Sequence, residues 1–424
     1  MKHEPTSLQA EVFDLVIVGA GPAGSALAIH MLSRGRRPLI IEKDAFPRHH
    51  IGESLTGECR QLLAELGLSD YMEKSDFPVK RGVAVSGDSA SSRFWVPVEG
   101  LAEDGSRFPA TTWQVRRDEF DEQLLKTARA KGATYIRARC ESVEFEDGRV
   151  SGVKISGEDG ISTSIRAHAV ADCTGQNTLF SKLKLTSPKQ RTGYENQVAF
   201  YAQMTDVGRD AGENDGSTHI FYGKRHHWAW AIPLSDKITS VGVVLPKASL
   251  GPDRGSIGDI FRRTLNEINP ELIARTENAT INSDVFSISN YSYSVESYTG
   301  PGYLCVGDSH RFLDPIFSFG VLVALQEAKL ASAALDSYIA DPKAAGSEPF
   351  AEYARKVDRA QSIVEYVIRT FWDYPLVFLK LAHFSHRSDI AEIFSGRLYS
   401  ETVEEIGAVG LMRDLLKLGE DVSV

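Results

Sequence analysis

The chain has 424 residues, of which 42% are hydrophobic and 25% are charged, and its formal net charge is −10. This composition is typical of a soluble globular protein with two or three lobes. The acidic balance argues against nucleic-acid binding, because phosphate contacts need a basic surface. The four cysteines are far apart and include no Cys-x-x-Cys pair, so we expect neither a zinc site nor a disulfide framework.

The sequence contains no apolar run typical of a signal peptide or of a membrane-spanning helix. We therefore predict a cytoplasmic protein without membrane contact, either a monomer or a homodimer. The histidine pairs His49-His50 and His226-His227 lack a carboxylate at ligand spacing, so no metal site is predicted.

The first predicted elements form a βαβ unit. A short apolar strand, Leu15 to Val18, meets Gly19-Ala-Gly21-Pro-Ala23-Gly24, a helical pattern follows as far as Gly35, and a second strand, Pro38 to Ile41, ends at Glu42. In a dinucleotide-binding turn the three glycines permit the tight turn, the approach of a pyrophosphate and close helix packing. The phosphates lie at the helix N-terminus, and the acid about twenty residues on binds ribose, a role we assign to Glu42.

Polar side chains after this unit are further candidates for contacts with a cofactor. Lys43 follows the predicted ribose-binding acid, Arg48 could neutralise phosphate charge, and Ser54 lies in Ile51-Gly-Glu-Ser-Leu. Further on, Lys80 stands beside Arg81, and a lone lysine in such a pair is usually solvated on the surface.

The middle of the chain, 83–112 and 186–285, reads as strands with polar loops and predicts an antiparallel sheet. One of these strands contains two tryptophans one residue apart. Because side chains alternate between faces, Trp228, Trp230 and Ile232 share one face, and the intervening alanines lie on the other. Spacing alone favours core packing for these indoles.

Three later segments carry further motifs. Arg117 lies in a segment, Trp113 to Asp121, that leads into a helix. The strand from Tyr303 to Val306 ends in Gly307-Asp308, and Asp314-Pro315-Ile-Phe-Ser-Phe319-Gly320 starts a long helix. From 346 onwards the sequence is largely helical, and its aromatic residues are explained either by helix packing or by a lid over a cavity.

Together these motifs resemble the group A flavin monooxygenase superfamily, with its para-hydroxybenzoate hydroxylase-like fold, over roughly residues 12 to 335. The resemblance implies that FAD is the cofactor, that Asp308 binds its ribityl chain, that Pro315 and Gly320 border the isoalloxazine, and that Arg117 reaches the cofactor. The predicted cofactor-binding residues are Gly19, Gly21, Ala23, Gly24, Glu42, Lys43, Arg48, Ser54, Arg117, Asp308, Pro315 and Gly320.

The predicted fold class is α/β. The predicted domains are a Rossmann-like FAD-binding domain of 10–82, 113–185 and 286–340, an antiparallel-sheet substrate lobe of 83–112 and 186–285, and a helical C-terminal region of 341–424.

Within that superfamily the complete motif Trp228-Ala-Trp230-Ala-Ile232-Pro233 resembles the hallmark of flavin-dependent halogenases, and the surroundings of Lys80 resemble the pyrrole- and phenol-type members. The resemblance implies that reduced FAD, dioxygen and a chloride or bromide ion give hypohalous acid. Lys80 would hold or carry the oxidised halogen, a task for which an amine is better suited than a guanidinium. Trp228 and Trp230 would bar the substrate from the flavin, and the amides of Phe319 and Gly320 would bind the halide.

No second dinucleotide fingerprint is present, so we expect a separate flavin reductase as partner. The chain departs from its apparent relatives at Phe319, where Ser or Thr is usual, and it lacks the glutamate of tryptophan halogenases near Pro315. We therefore expect an electron-rich phenol or pyrrole, free or on a carrier protein, and the sequence leaves chloride or bromide open. The alternatives are a hydroxylating monooxygenase, a flavin dehydrogenase or reductase, and a flavin-binding protein without activity.

Overall fold

The computed structural model describes residues 11–89, 92–101, 107–158, 160–191, 196–251, 255–289, 292–342 and 346–421. In the described parts of the chain the strands are, in order, β1 (Val12–Val18), β2 (Pro38–Glu42), β3 (Val79–Lys80), β4 (Gly82–Ser86), β5 (Phe94–Pro97), β6 (Glu99–Leu101), β7 (Arg107–Pro109), β8 (Thr112–Trp113), β9 (Thr134–Arg137), β10 (Arg139–Glu146), β11 (Arg149–Ser156), β12 (Ser162–Asp172), β13 (Gln190–Arg191), β14 (Gln197–Thr205), β15 (Thr218–Tyr222), β16 (Trp228–Pro233), β17 (Ile238–Pro246), β18 (Thr280–Ile281), β19 (Phe286–Ser289), β20 (Tyr293–Ser294), β21 (Thr299–Gly300), β22 (Tyr303–Cys305) and β23 (Arg311–Phe312). The α-helices are α1 (Pro22–Ser33), α2 (Glu58–Glu65), α3 (Ser69–Lys74), α4 (Arg117–Ala130), α5 (Leu179–Lys182), α6 (Ile257–Leu265), α7 (Pro270–Thr276), α8 (Gly320–Ala340), α9 (Ala351–Asp373), α10 (Pro375–Lys380), α11 (Arg387–Ser395) and α12 (Gly407–Asp421).

The first sheet has the strand order β10-β11-β12-β1-β2-β9, and β22 pairs with β12. In this sheet β1 pairs in parallel with both β12 and β2, β2 pairs in parallel with β9, and β12 pairs in parallel with β22. Parallel neighbours of this kind require crossover connections. The predicted βαβ unit is therefore present as β1, α1 and β2. Helix α1 is buried on most sides because α4 and α8 also pack against it, which explains why its sequence is apolar almost all round.

The second sheet has the order β18-β14-β17-β16-β15-β4-β5, and β19 also pairs with β14. Its pairs are antiparallel except for β15 with β4, which run parallel with Thr218 opposite Val83. The predicted antiparallel sheet is thus present with one parallel pair, because β4 and β15 are joined by a long excursion through the first sheet and not by a hairpin. Strand β19 extends the second sheet beyond the predicted limit of residue 285.

Strand β16 lies between β15 and β17, and all of its residues are buried. The side chains of Trp228, Trp230 and Ile232 join the main core, whereas Ala229 and Ala231 join a second core that includes residues of α6 and α7. The Trp230 indole lies over Gly242 of β17, where a Cβ atom would come within 2.2 Å of the ring. A glycine opposite this indole is therefore a requirement of packing.

The C-terminal region packs against the segment that precedes α8. Phe371 of α9 and Phe378 of α10 contact the ring of Phe317, with centroids 5.3 and 6.1 Å apart, and Phe394 of α11 contacts it at 4.7 Å. A short π-helix, Leu381–Ser385, joins α10 to α11. Among the described residues, none of the helices combines the length and apolar character that a bilayer crossing requires.

Candidate active site

A cavity of about 490 Å³ is lined by residues of both sheets. At one end Glu42, the last residue of β2, accepts hydrogen bonds from the main-chain nitrogens of Ala20 and Asp44, each at 2.9 Å. Two main-chain donors therefore fix the carboxylate beside the glycine turn, where the sequence predicts ribose recognition.

The glycines of this turn have distinct structural roles. Gly19 has φ +106°, and a Cβ atom on it would lie 2.4 Å from the carbonyl oxygen of Cys173. A Cβ atom on Gly24 would lie 1.9 Å from the Gly19 oxygen, so Gly24 permits close packing of α1 and does not line the cavity. Gly21 lines the cavity, and a Cβ atom on it would lie 3.5 Å from its nearest neighbour, the Arg48 side chain. The Gly21 backbone is thus accessible to a phosphate at the α1 N-terminus.

Most of the predicted cofactor-binding residues meet in this one cavity. Arg48 supplies a further sign that they fit a bound FAD, because its Nε is buried without a hydrogen-bond partner among the described residues and an anionic group of a cofactor would satisfy it. The predicted residues found in the lining are Gly19, Gly21, Ala23, Glu42, Lys43, Arg48, Ser54, Arg117, Asp308, Pro315 and Gly320.

Arg117 lines the cavity at the start of α4 and is only 6% exposed. Its Nε and Nη2 donate to the two carboxylate oxygens of Asp121 at 2.7 and 2.9 Å, and its Nη1 donates to the carbonyl of Ile51 at 2.7 Å. Burial alone would lower the pKa of Arg117, but the charge and hydrogen bonds of Asp121 outweigh it and raise the pKa. This guanidinium therefore stays charged and holds the loop around Gly52 in place.

The segment before α8 turns sharply towards the cavity. Asp314 accepts a hydrogen bond from the main-chain nitrogen of Ile316 at 3.1 Å, and Ser318 has φ +60° before the helix begins at Gly320. Gly320 lines the cavity, whereas the ring of Phe319 contacts Phe394 at 6.2 Å and is absent from the lining. The Phe319 side chain is thus directed into the aromatic packing of the C-terminal region, and the predicted halide contacts, which are the main-chain amides of Phe319 and Gly320, do not depend on this ring.

The carboxyl group of Asp308 also lines the cavity. Burial and the neighbouring charge of Glu327 raise its pKa to about 7, with Arg117 acting in the opposite sense. A carboxyl group in this position has the hydrogen-bonding capacity that ribityl hydroxyls require.

The two indoles of β16 also line the cavity. The centroids of Trp228 and Trp230 are 5.6 Å apart with the rings inclined at 45°, and both side chains face the cavity together with Ile232. The Trp230 Nε1 donates to the Ser240 hydroxyl at 3.1 Å, which fixes the ring. The Trp230 indole is therefore fixed in the wall, whereas the Trp228 Nε1 is buried without a hydrogen-bond partner among the described residues.

Lys80 is not a solvated surface lysine, since its side chain is buried and the residue is only 2% exposed. The short pairing of β3 with β8 places it opposite Thr112, and its Nζ donates to the Ser54 hydroxyl and to the Leu55 carbonyl, both at 2.8 Å. Burial lowers the pKa of the amine to about 7, with a small opposing effect from Cys59. Lys80 lies just outside the cavity lining, and Ser54 stands at the boundary.

Sequence reasoning did not single out two residues of this polar network, Gln114 and Thr218. The Ser54 and Thr218 hydroxyls lie 2.8 Å apart, and the Gln114 side-chain nitrogen donates to Thr218 at 2.8 Å and to the Gly216 carbonyl at 3.0 Å. For Thr218 the available signal was a polar residue beside apolar positions in a predicted strand, because such a group needs a partner when it is buried. Their partners are more than 100 residues away along the chain, so no local motif identifies them.

Glu53 is a third residue that sequence reasoning did not single out. It lines the cavity and is 3% exposed, and one of its carboxylate oxygens has no hydrogen-bond partner among the described residues. Burial raises its pKa to about 7, and a hydrogen bond to Ser240 opposes the shift. A carboxyl group that changes protonation near neutral pH therefore faces the cavity.

The fold and this cavity define an FAD-binding protein. A family model described as FAD binding domain matches residues 12–361, which is most of the chain, so the chain belongs to that family. The solved structure of the flavin-dependent brominase Bmp2 has a TM-score of 0.89 at 33% identity and covers 97% of this chain and 100% of that chain. A flavoprotein/dehydrogenase from Cytophaga hutchinsonii, at 22% identity and a TM-score of 0.84, shares the fold.

Sequence comparison defines the family more narrowly. The chain is 36% identical over 366 residues to a 1H-pyrrole-2-carbonyl-(peptidyl-carrier protein) brominase of Pseudoalteromonas luteoviolacea, with 86% of this chain and 87% of the relative covered. It is 29% identical over 342 residues to the corresponding chlorinase of Pseudomonas fluorescens, with 76% and 75% covered. The chain belongs to the flavin-dependent halogenases and is an FAD-dependent enzyme, as its tryptophan motif and the surroundings of Lys80 predicted.

Proposed function

We propose that this enzyme halogenates a pyrrole-2-carbonyl group held on a carrier protein, using reduced FAD from a separate reductase, dioxygen and a bromide or chloride ion. The brominase and chlorinase described above act on a pyrrole of this kind, which supports the substrate class. The observation that carries the proposal is a buried amine of lowered pKa, one hydrogen bond from the wall of the FAD cavity.

In this mechanism FAD supplies the oxidising chemistry, and the chain positions the halide and carries the halogen. The Gly320 amide is suited to bind the halide. Gly320 is the first residue of α8 and lines the cavity, and the dipole of the helix favours an anion at this end. The direction of the Phe319 ring, away from the cavity, leaves room for the halide despite the unusual residue type.

Lys80 then receives the oxidised halogen. A neutral amine can accept halogen through its lone pair, and about half of a group with a pKa near 7 is neutral at pH 7. Trp228 and Trp230 keep the aromatic substrate away from the flavin, so that the halogen and not oxygen is transferred. A hydroxylating monooxygenase of the same fold would need the substrate to enter the cavity that these indoles wall off.

Mass spectrometry of the carrier-bound product tests this function. The enzyme is supplied with FAD, a flavin reductase, NADH and 1H-pyrrole-2-carbonyl loaded on a peptidyl carrier protein, with bromide, chloride or neither. We expect halide-dependent mass shifts of one or more halogen atoms. A halide-independent gain of one oxygen atom would instead identify a hydroxylase, and free pyrrole-2-carboxylate serves as the test of carrier dependence.

A substitution at Lys80 tests its role separately. In Lys80→Met we expect product to fall by about 10³-fold or more, the order seen when a covalent catalytic group is removed. Formation of hypohalous acid, measured with a diffusible halogen acceptor such as monochlorodimedone, should remain near the wild-type rate. Wild-type product yield in this variant would exclude Lys80 as the halogen carrier.

A further inference from the structure

The amine of Lys80 is connected to the cavity through a hydroxyl group. Its Nζ donates to the Ser54 hydroxyl and to the Leu55 carbonyl, and of these two partners Ser54 lines the cavity. A molecule in the cavity can therefore contact Ser54 before it reaches Lys80, which lies outside the lining.

The Ser54 hydroxyl contacts both the Lys80 amine and the Thr218 hydroxyl. The carbonyl of Gly216 accepts only, so the group of Gln114 that faces it is the amide nitrogen, and the same nitrogen donates to Thr218. Thr218 keeps a second acceptor site, so in the 2.8 Å contact either hydroxyl can donate to the other. When Thr218 donates, the Ser54 oxygen accepts from Thr218 and from the Lys80 amine. The Ser54 proton is then available to a molecule in the cavity.

We propose that Ser54 is a catalytic residue of halogen transfer, whose hydroxyl carries the proton between hypohalous acid and the Lys80 amine. This inference rests on the proposed function of Lys80 and adds a proton route to it. Ser54 was expected from the sequence to contact the cofactor, and its hydrogen bond to Lys80 supports this different role.

The step balances without any further reactant. The lone pair of the neutral amine attacks the halogen, the nitrogen–halogen bond forms, and the oxygen–halogen bond of hypohalous acid breaks with its electron pair on oxygen. That oxygen takes the Ser54 proton and leaves as water, while Ser54 takes a proton from the amine. Without the hydroxyl, the leaving group would be a hydroxide ion in a buried site, and an unpaired buried charge is costly.

Three variants separate this relay from a merely structural role. Ser54→Ala removes the hydroxyl, Ser54→Thr keeps it, and Ser86→Ala removes a buried hydroxyl of β4 that is outside the proposed path. We expect Ser54→Ala to lower product formation by about 100-fold, within the range for loss of a proton-transfer group. The quantity compared is product per molecule of hypohalous acid formed, so that any change in cofactor binding is removed from the comparison. By this measure Ser54→Thr should stay within about tenfold of wild type, and Ser86→Ala should match wild type.

A second readout needs neither FAD nor turnover. The protein is labelled with lysine carrying ¹³C at Cε, and the Lys80 resonance, assigned with Lys80→Met, is followed by NMR across pH 5 to 10. Loss of the Ser54 oxygen removes an acceptor from the ammonium form, so Ser54→Ala should lower the pKa of Lys80 below its wild-type value, and Ser54→Thr should not.

The two readouts distinguish the outcomes. An unchanged Lys80 titration in Ser54→Ala, or product within threefold of wild type, would overturn the relay. If Lys80→Met halogenates normally, the proposed function of Lys80 fails first, and the titration still decides whether Ser54 contacts the amine.

Discussion

Two buried cations flank the cavity, and they are held in opposite ways. Arg117 is 6% exposed and forms a two-point ion pair with Asp121, with nitrogen–oxygen distances of 2.7 and 2.9 Å. Lys80 is 2% exposed and meets only neutral oxygens, those of Ser54 and Leu55, with no ion pair to a carboxylate among the described residues.

The difference explains why Arg117 keeps its charge and has a structural role, whereas Lys80 can lose its proton near neutral pH. Pairing raises the pKa of Arg117, so its charge is permanent and its hydrogen bonds fix the loop around Gly52. Burial without an anion lowers the pKa of Lys80 to about 7, so its amine is partly neutral at physiological pH. The lowered pKa of Lys80 thus goes together with the lack of an ion pair at this amine within the described ranges of the chain.

The largest expected change in stability comes from removing the anion that pairs with Arg117. Asp121→Asn leaves the Arg117 charge buried without an anion, and we expect the free energy of unfolding to fall by about 3–5 kcal/mol. Urea denaturation at pH 7 measures this loss. As a control, Glu119→Gln breaks the partly exposed pair with Arg116 and should change stability by less than about 1 kcal/mol. A loss in Asp121→Asn as small as in the control would mean that Arg117 does not depend on its ion pair.

The unpaired cation predicts a dependence of stability on pH. The pKa of Lys80 is about 7 in the folded protein and 10.5 for an ordinary lysine, so between these values the unfolded chain binds more protons. The free energy of unfolding of wild type, relative to Lys80→Met, should therefore rise with pH through this window, by at most about 1.4 kcal/mol per unit. Below pH 7 both states are protonated and the difference between the two proteins should level off.

Denaturation of both proteins at pH 6, 7.5 and 9 checks this sign. The methionine variant lacks the titrating group, so its subtraction removes the contribution of every other residue. A difference that stays constant would show that Lys80 keeps an ordinary pKa, and one that falls as pH rises would show a raised pKa. Either result would remove the contrast with Arg117.

The parts of the site that sequence reasoning reached are those set by local geometry. The positions of Gly19, Gly21 and Glu42 follow from one strand–turn–helix–strand unit, in which spacing along the chain determines spacing in space. The two faces of β16 follow from the alternation of side chains in a strand, and Trp228 and Trp230 share a face as expected.

Long-range contacts explain what the sequence did not reveal. Whether Lys80 is solvated or buried depends on the pairing of β3 with β8, and the partners of its hydrogen-bond network come from segments that are far apart along the chain. The parallel pairing of β15 with β4 places Thr218 opposite Val83, and the Thr218 hydroxyl lies 2.8 Å from that of Ser54. The antiparallel sheet predicted from the sequence did not include this one parallel pair. Neither contact leaves a local pattern in the sequence.

The smallest effect is expected at Arg48, the second cation near Asp121. Its Nη2 lies 3.8 Å from the carboxylate, and its side chain is 21% exposed. Arg48→Ala should lower the free energy of unfolding by less than about 1 kcal/mol, because Asp121 keeps both hydrogen bonds to Arg117. FAD binding, measured by flavin fluorescence, should weaken by roughly fivefold if the unpartnered Arg48 Nε contacts the cofactor. A stability loss as large as that of Asp121→Asn would mean that Asp121 pairs with Arg48 as strongly as with Arg117. The charge of Arg117 would then not be held by an ion pair of its own, and the contrast with Lys80 would be lost.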